Sequence, residues 1–319
     1  MPSAPGTRAA SPGPYAADAV GPVVERLRRV PDTARRFAQD ATVARRWHRL
    51  DADLLAALLD AGLPAVGRGE ARRFDPYDLS NAALWLGRPS IQRRAVKSWG
   101  ASLRHNAVAL RGPGADDAPA RYRVEVGATC PLPDHPGPCR FTVLGPRGRH
   151  ERLRTPHDRG ALDRWVLPMP TRGPRLPGPV REITARIADV EFLMLPEAVR
   201  WDPAFLDRAR VSDCGGTAAW LVAEAARRGL EARFSFGVIV ARPYSSPHCW
   251  AEFRVDGRWW PVDPLLVRLL QGWGGVDPAA WDEDDSPAPL FRRLADDNTI
   301  VVSHRGVWAS TSLNTERLT

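Results

Sequence analysis

Asp213-Cys214-Gly215-Gly216-Thr217-Ala218-Ala219-Trp220-Leu221 opens a run of small and apolar residues that ends at Arg227-Arg228-Gly229, and the architecture of the chain hinges on it. Ala218, Leu221, Val222 and Ala225 recur at helical spacing, and two arginines before a glycine form a helix end with cations in its last turn. Ser212 or Asp213 can cap the start. Cys214 therefore lies in a first helical turn, where unpaired amide N–H groups and the dipole favour a thiolate. Gly215 and Gly216 leave room for a substrate to approach the sulfur. For a lone cysteine the competing reading is an inert packing residue.

Downstream, Ala232–Val240 reads as an inner strand, and His248–Val255 and Arg258–Asp263 flank Asp256-Gly257, the strongest short hairpin signal. A two-residue type I′ turn sets the register: Val255 opposes Arg258, Phe253 opposes Trp260, Ala251 opposes Val262 and Trp250 opposes Asp263. Alternation puts Cys249, Ala251, Phe253 and Val255 on a core face with Trp260 and Val262. His248, Trp250 and Glu252 share the other face with Asp263. His248 and Asp263 become diagonal neighbours, roughly 5.5–8 Å apart between β-carbons, within reach of a side-chain hydrogen bond. A carboxylate at that spacing fixes an imidazole's tautomer. Alternation turns Cys249 away from this chemistry. Cysteine at a helix start, with histidine and aspartate set by a hairpin, is the composition of an activated nucleophile.

The 319 residues, 44% of them apolar, suffice for more than one core. Residues 1–14 read as a disordered tail, 15–115 as a helical region, 116–175 as a small β-rich segment and 176–319 as the domain carrying Cys214. In the helical region Val23, Val24 and Leu27, then Leu54, Leu55, Leu58 and Leu59, recur at helical spacing, Pro31 would start a new helix, and a second helical run spans Pro76–Ala109. Arg35, Arg36, Arg45 and Arg46 read as a solvated face. Asn298–Val302 reads as the last strand. Cys130, His135 and Cys139 have the spacing of three metal ligands, but they sit in a turn-rich loop with no fourth ligand nearby, so no metal site is assigned.

The net charge of +8 rests almost wholly on arginine, Lys97 being the only lysine. The arginines are dispersed without an aromatic–basic motif, which argues against nucleic-acid binding. They suit carboxylate or phosphate on an acidic partner. No 18-residue apolar run or signal-like leader is present, and four cysteines are too few for a disulfide scaffold; the expected location is a reducing cytoplasm, with no membrane partner.

Cys214 at a helix start, Gly229 closing that helix, a strand ending near Gly237, His248-x-Trp250-x-Glu252 and Trp259-Trp260-Pro261-Val262-Asp263-Pro264 together resemble the transglutaminase-like superfamily of papain-type thiol enzymes. The resemblance covers about residues 180–270. It implies an α+β fold, a Cys-bearing helix packed on an antiparallel sheet, with Cys214 as nucleophile, His248 as base and acid and Asp263 as its orienter. Trp250, with Gly215 and Gly216, would border the substrate. The implied partners are a peptide, amide or thioester acyl donor, including one held on a carrier protein, and water or an amine as acceptor. No cofactor is called for, and Asp282-Glu283-Asp284-Asp285 reads as a solvated charge run rather than a calcium loop. The alternative is an inactive binding or scaffold protein on the same fold.

Overall fold

The computed structural model of this chain describes residues 17–108, 119–132, 134–155, 158 and 160–318; the segment 1–14, read as a tail, lies outside the described residues. The chain divides into two units, Met1–Arg93 with Leu193–Pro196, and Arg94–Phe192 with Glu197–Thr319.

Aspartates start the helices of the first unit. Asp40, Asp51 and Asp75 each accept backbone N–H bonds at the caps of α2 (Ala41–His48), α3 (Ala52–Asp60) and α4 (Pro76–Trp85). With α1 (Ala17–Arg28) these helices bury Val23, Val24 and Leu27, Leu54 and Leu58, and Leu79 and Ala82. Pro31 begins no helix, only a three-residue 3₁₀ turn, Asp32–Ala34. Of the expected solvated arginine face, Arg36, Arg45 and Arg46 are exposed, but Arg35, which leaves that turn in extended conformation, is not. Its side chain is buried, pairs with Asp78 at 2.7 Å and donates to the Leu27 carbonyl at 2.6 Å. Burial pushes the Asp78 carboxyl up to about 6 against the pull of Arg35.

The helix α5 (Ile91–Val108) crosses into the second unit, which continues with β1 (Ala120–Ala128), β2 (Cys139–Gly145), β3 (Gly148–Arg154), β4 (Asp163–Met169), α6 (Gly178–Ala185), β5 (Glu191–Phe192), α7 (Glu197–Arg200), α8 (Pro203–Ala209) and β6 (Val211–Ser212). Then come α9 (Cys214–Arg227), β7 (Ala232–Ile239), β8 (Ser246–Val255), β9 (Arg258–Val262), α10 (Pro264–Trp273), β10 (Phe291–Ala295), β11 (Val302–His304), β12 (Val307–Trp308) and β13 (Thr311–Leu318). Three antiparallel sheets have the orders β13-β1-β4, β10-β7-β8-β9 and β12-β11-β2-β3, and β5 pairs with β6 in parallel. Asn298–Val301 is not strand; β11 begins at Val302, and the last strand is β13. The architecture is α+β, as the sequence implies.

Strand β8 is central, and His248–Phe253 are all buried. Alternation predicts one core face, but both faces are covered. Trp220, Leu221 and Ala225 of α9 pack with Ala251 and Phe253 on one side. Val96 and Leu103 of α5 and Leu266 and Leu270 of α10 pack with Trp250 on the other. A third core joins β1, β2, β4 and β13 to Phe236, Val238 and Cys249. Among the described residues, no helix is long and apolar enough to cross a membrane.

Candidate active site

Asp213 sets where α9 begins. Its backbone is extended, one carboxylate oxygen accepts the Gly216 N–H at 3.0 Å, and the other accepts from Arg200 Nε at 2.7 Å. This cap makes Cys214 the first helical residue, at the end of α9 where N–H groups are free of intrahelical bonds. The glycines that follow are not openings. A β-carbon on Gly215 would lie 2.8 Å from the Trp201 ring, and one on Gly216 would lie 2.7 Å from Ser212 Oγ and 2.8 Å from the Arg200 carbonyl. The space read as room for substrate is occupied by the segment 200–212, which closes onto the helix because these side chains are missing.

The hairpin has the register that its turn predicts: Asp256 and Gly257 both have positive φ, 50° and 75°, and Ala251 faces Val262 while Phe253 faces Trp260. His248 Nε2 lies 2.7 Å from Asp263 Oδ2, with both side chains buried. Asp263 also caps α10, its second oxygen accepting the Leu266 N–H at 2.9 Å. One carboxylate thus ties the ring to a helix start. A carboxylate accepts, so Nε2 carries the hydrogen and Nδ1 is left for a second partner.

Aromatic rings hold His248 from three sides: Trp99 edge-on at 6.3 Å, Phe291 tilted at 5.3 Å and Trp250 stacked at 6.4 Å. Trp250 is 1% exposed and stacks on Phe291 at 4.6 Å. It therefore corrects the expectation of a substrate-bordering residue: its face is spent on the ring of His248 and on Phe291, and it positions the histidine. Trp99 on α5 and Phe291 on β10 carry no mark of this role in the sequence, because nothing local ties either element to His248.

Cys214 is partly exposed, and His248 and Cys249 both act on its thiol. Cys249 is buried, as alternation requires, but its sulfur is not remote from Cys214. The Cys249 hydrogen bond and burial push the Cys214 thiol well up, against the pull of His248. For His248, burial alone would lower the pKa, but the charge of Cys214 and the Asp263 bond raise it to about 10. A separate cleft of about 600 Å³, lined by Arg147, His150, Arg152, Asp163, Arg164 and Trp165 among others, includes none of these three groups.

A helix carrying a cysteine at its first residue, laid on an antiparallel sheet that carries a histidine bonded to an aspartate, has the architecture of a papain-like thiol enzyme. Residues 183–264, within the C-terminal half of the chain, match the family model of the transglutaminase-like superfamily. The matched stretch contains Cys214, His248 and Asp263 and leaves β1–β4 and β10–β13 outside it. No curated protein and no solved structure matches the chain.

Proposed function

We propose that the protein is a cysteine-dependent acyltransferase or amidase working through a thioester on Cys214. The observation that carries this reading is the buried 2.7 Å bond between His248 Nε2 and Asp263 Oδ2, on a ring whose charge also acts on the Cys214 thiol. His248 Nδ1 takes the proton from Sγ, and the thiolate attacks the carbonyl carbon of an amide or thioester. Backbone N–H groups at the start of α9, that of Cys214 among them, stabilise the oxyanion. As the bond to the leaving group breaks, the imidazolium returns its proton to that nitrogen or sulfur. Water or an amine then attacks the thioester, gives its proton to His248 and releases the thiolate. Arginine-rich composition favours an acidic donor, and an acyl group on a carrier protein fits that description.

The test is intact-mass spectrometry of wild type and Cys214→Ala incubated with small acyl thioesters and with acyl-loaded carrier protein. The expected result is an acyl adduct in the wild type, absent from the variant and cleared on adding an amine or on standing in water. No adduct from any donor, with Cys214 alkylated by iodoacetamide no faster than a model thiol at neutral pH, overturns the proposal. That second result supports instead an inactive scaffold, which the upward pull of burial and Cys249 on the Cys214 thiol favours.

A further inference from the structure

The loop between β1 and β2, with the first residue of β2, holds three residues, Cys130, His135 and Cys139, whose spacing lacks a fourth ligand in sequence. The fold supplies it from the far end of the chain. Strand β11 pairs with β2 so that His304 opposes Phe141, which makes His304 the diagonal neighbour of Cys139 on the same buried face. One donor atom from each of Cys130, His135, Cys139 and His304 lies within 4.8 Å of all the others. A zinc ion with bonds of about 2.0–2.3 Å needs its donors about 3.3–3.8 Å apart around a tetrahedron. Cys139 Sγ and His135 Nε2, 3.4 Å apart, already have that spacing.

A second observation points to a ligand independently of this convergence. His304 is 0% exposed, and neither of its ring nitrogens has a hydrogen-bond partner. A buried imidazole left so is costly, and coordination through one nitrogen removes much of that cost. His135 is arranged in complementary fashion: its Nδ1 lies 3.1 Å from the Pro136 carbonyl, the second contact that orients a metal-bound imidazole and leaves Nε2 for the ion. Both cysteines are free thiols.

We propose that Cys130, His135, Cys139 and His304 form a closed, four-coordinate structural zinc site that ties the β1–β2 loop to the β11–β12 hairpin. Two thiolates and two neutral imidazoles neutralise a divalent ion, so it can be buried without residual charge, and four protein ligands leave no open position for catalysis. The site is separate in its ligands from Cys214 and His248, and its test does not depend on any activity.

The experiment measures metal by inductively coupled plasma mass spectrometry on full-length protein purified from zinc-supplemented medium without chelator. It then titrates cobalt(II) into the reduced, chelator-stripped protein. The expected result is about one zinc per chain in the wild type, a fall of at least about tenfold in His304→Ala and Cys139→Ser, and visible cobalt absorption of tetrahedral thiolate type. Cys130→Ser, a half-buried position where the fold is less exposed to damage, is expected to keep the protein soluble while weakening cobalt and zinc binding by at least about tenfold. Cys214→Ala is expected to retain zinc and the cobalt spectrum unchanged. Absence of zinc and of cobalt absorption in the wild type overturns the proposal. So does loss of both in Cys214→Ala, which would put the ion at the other thiol, or a Cys130–Cys139 disulfide in freshly purified protein.

Discussion

Asp263 does two jobs with two oxygens, holding Nε2 of His248 with one and capping α10 with the other. Asp263→Asn separates them, because an amide has a single acceptor oxygen. Asparagine caps nearly as well as aspartate, so that oxygen stays on the Leu266 N–H and the NH₂ turns to Nε2. The ring then carries its hydrogen on Nδ1, the nitrogen that must accept the thiol proton. The expected outcome is alkylation of Cys214 at neutral pH slowed by about 10²-fold or more, with α10 still capped; equal rates for variant and wild type reject the assignment of the ring nitrogens. Titration of the same ring has a definite sign. With a folded pKa of about 10 against an ordinary value of 6.5, His248 binds its proton more tightly in the folded state. Its contribution is complete below 6.5, declines as pH rises and is gone above about 10. The Cys214 shift is also upward and adds to the same loss. Urea unfolding of wild type and His248→Gln across that range should show their difference shrinking as pH rises, and a difference independent of pH rejects it.

Helix and hairpin are where the sequence was most informative, since both obey local rules. A cap, a stripe and a terminal glycine define α9, and an Asp-Gly turn counts off the β8–β9 register residue by residue. What local rules leave out is what covers an element. Trp250 reads as outward-facing on β8, but α5 and α10 cover that face; Gly215 and Gly216 read as an opening, but Trp201 and Arg200 fill it. The second misreading carries a prediction. Gly216→Ala puts a methyl 2.7 Å from a hydroxyl and 2.8 Å from a backbone carbonyl that cannot rotate aside, so denaturant unfolding should show a loss of about 1–3 kcal/mol. Gly272→Ala, on α10 with nothing within 4 Å of the added carbon, is the control and should be neutral or gain up to about 1 kcal/mol from helix propensity. Equal effects at the two sites mean that the start of α9 is not closed as described.

At the scale of the whole molecule, the legible part ends where pairing becomes remote. The β-rich segment is visible from Tyr122-Val124-Val126 and Phe141-Val143, but nothing near them says that β1 takes β13 as a partner or that β2 takes β11. Such pairings leave no short-range pattern, only a period-two run at each end of a long connection. The same remoteness hid the fourth member of the Cys130, His135 and Cys139 cluster. If the C-terminal strand closes the second unit rather than decorating it, its inward side chains must count as core. Leu313 is 3% exposed, faces Val126 across the β1–β13 ladder and belongs to the cluster that reaches Phe236 and Cys249. Leu313→Ala should therefore cost about 2–5 kcal/mol, and the loss should appear with one midpoint whether followed by tryptophan fluorescence or by exposure of the buried Cys249 thiol. Trp308→Ala, on β12, which precedes β13 in the chain but lies in another sheet and leaves this side chain 62% exposed, should change stability by no more than about 0.5 kcal/mol. A Leu313→Ala protein as stable as the wild type would reduce β13 to an appended strand and leave the second unit closed by some other means.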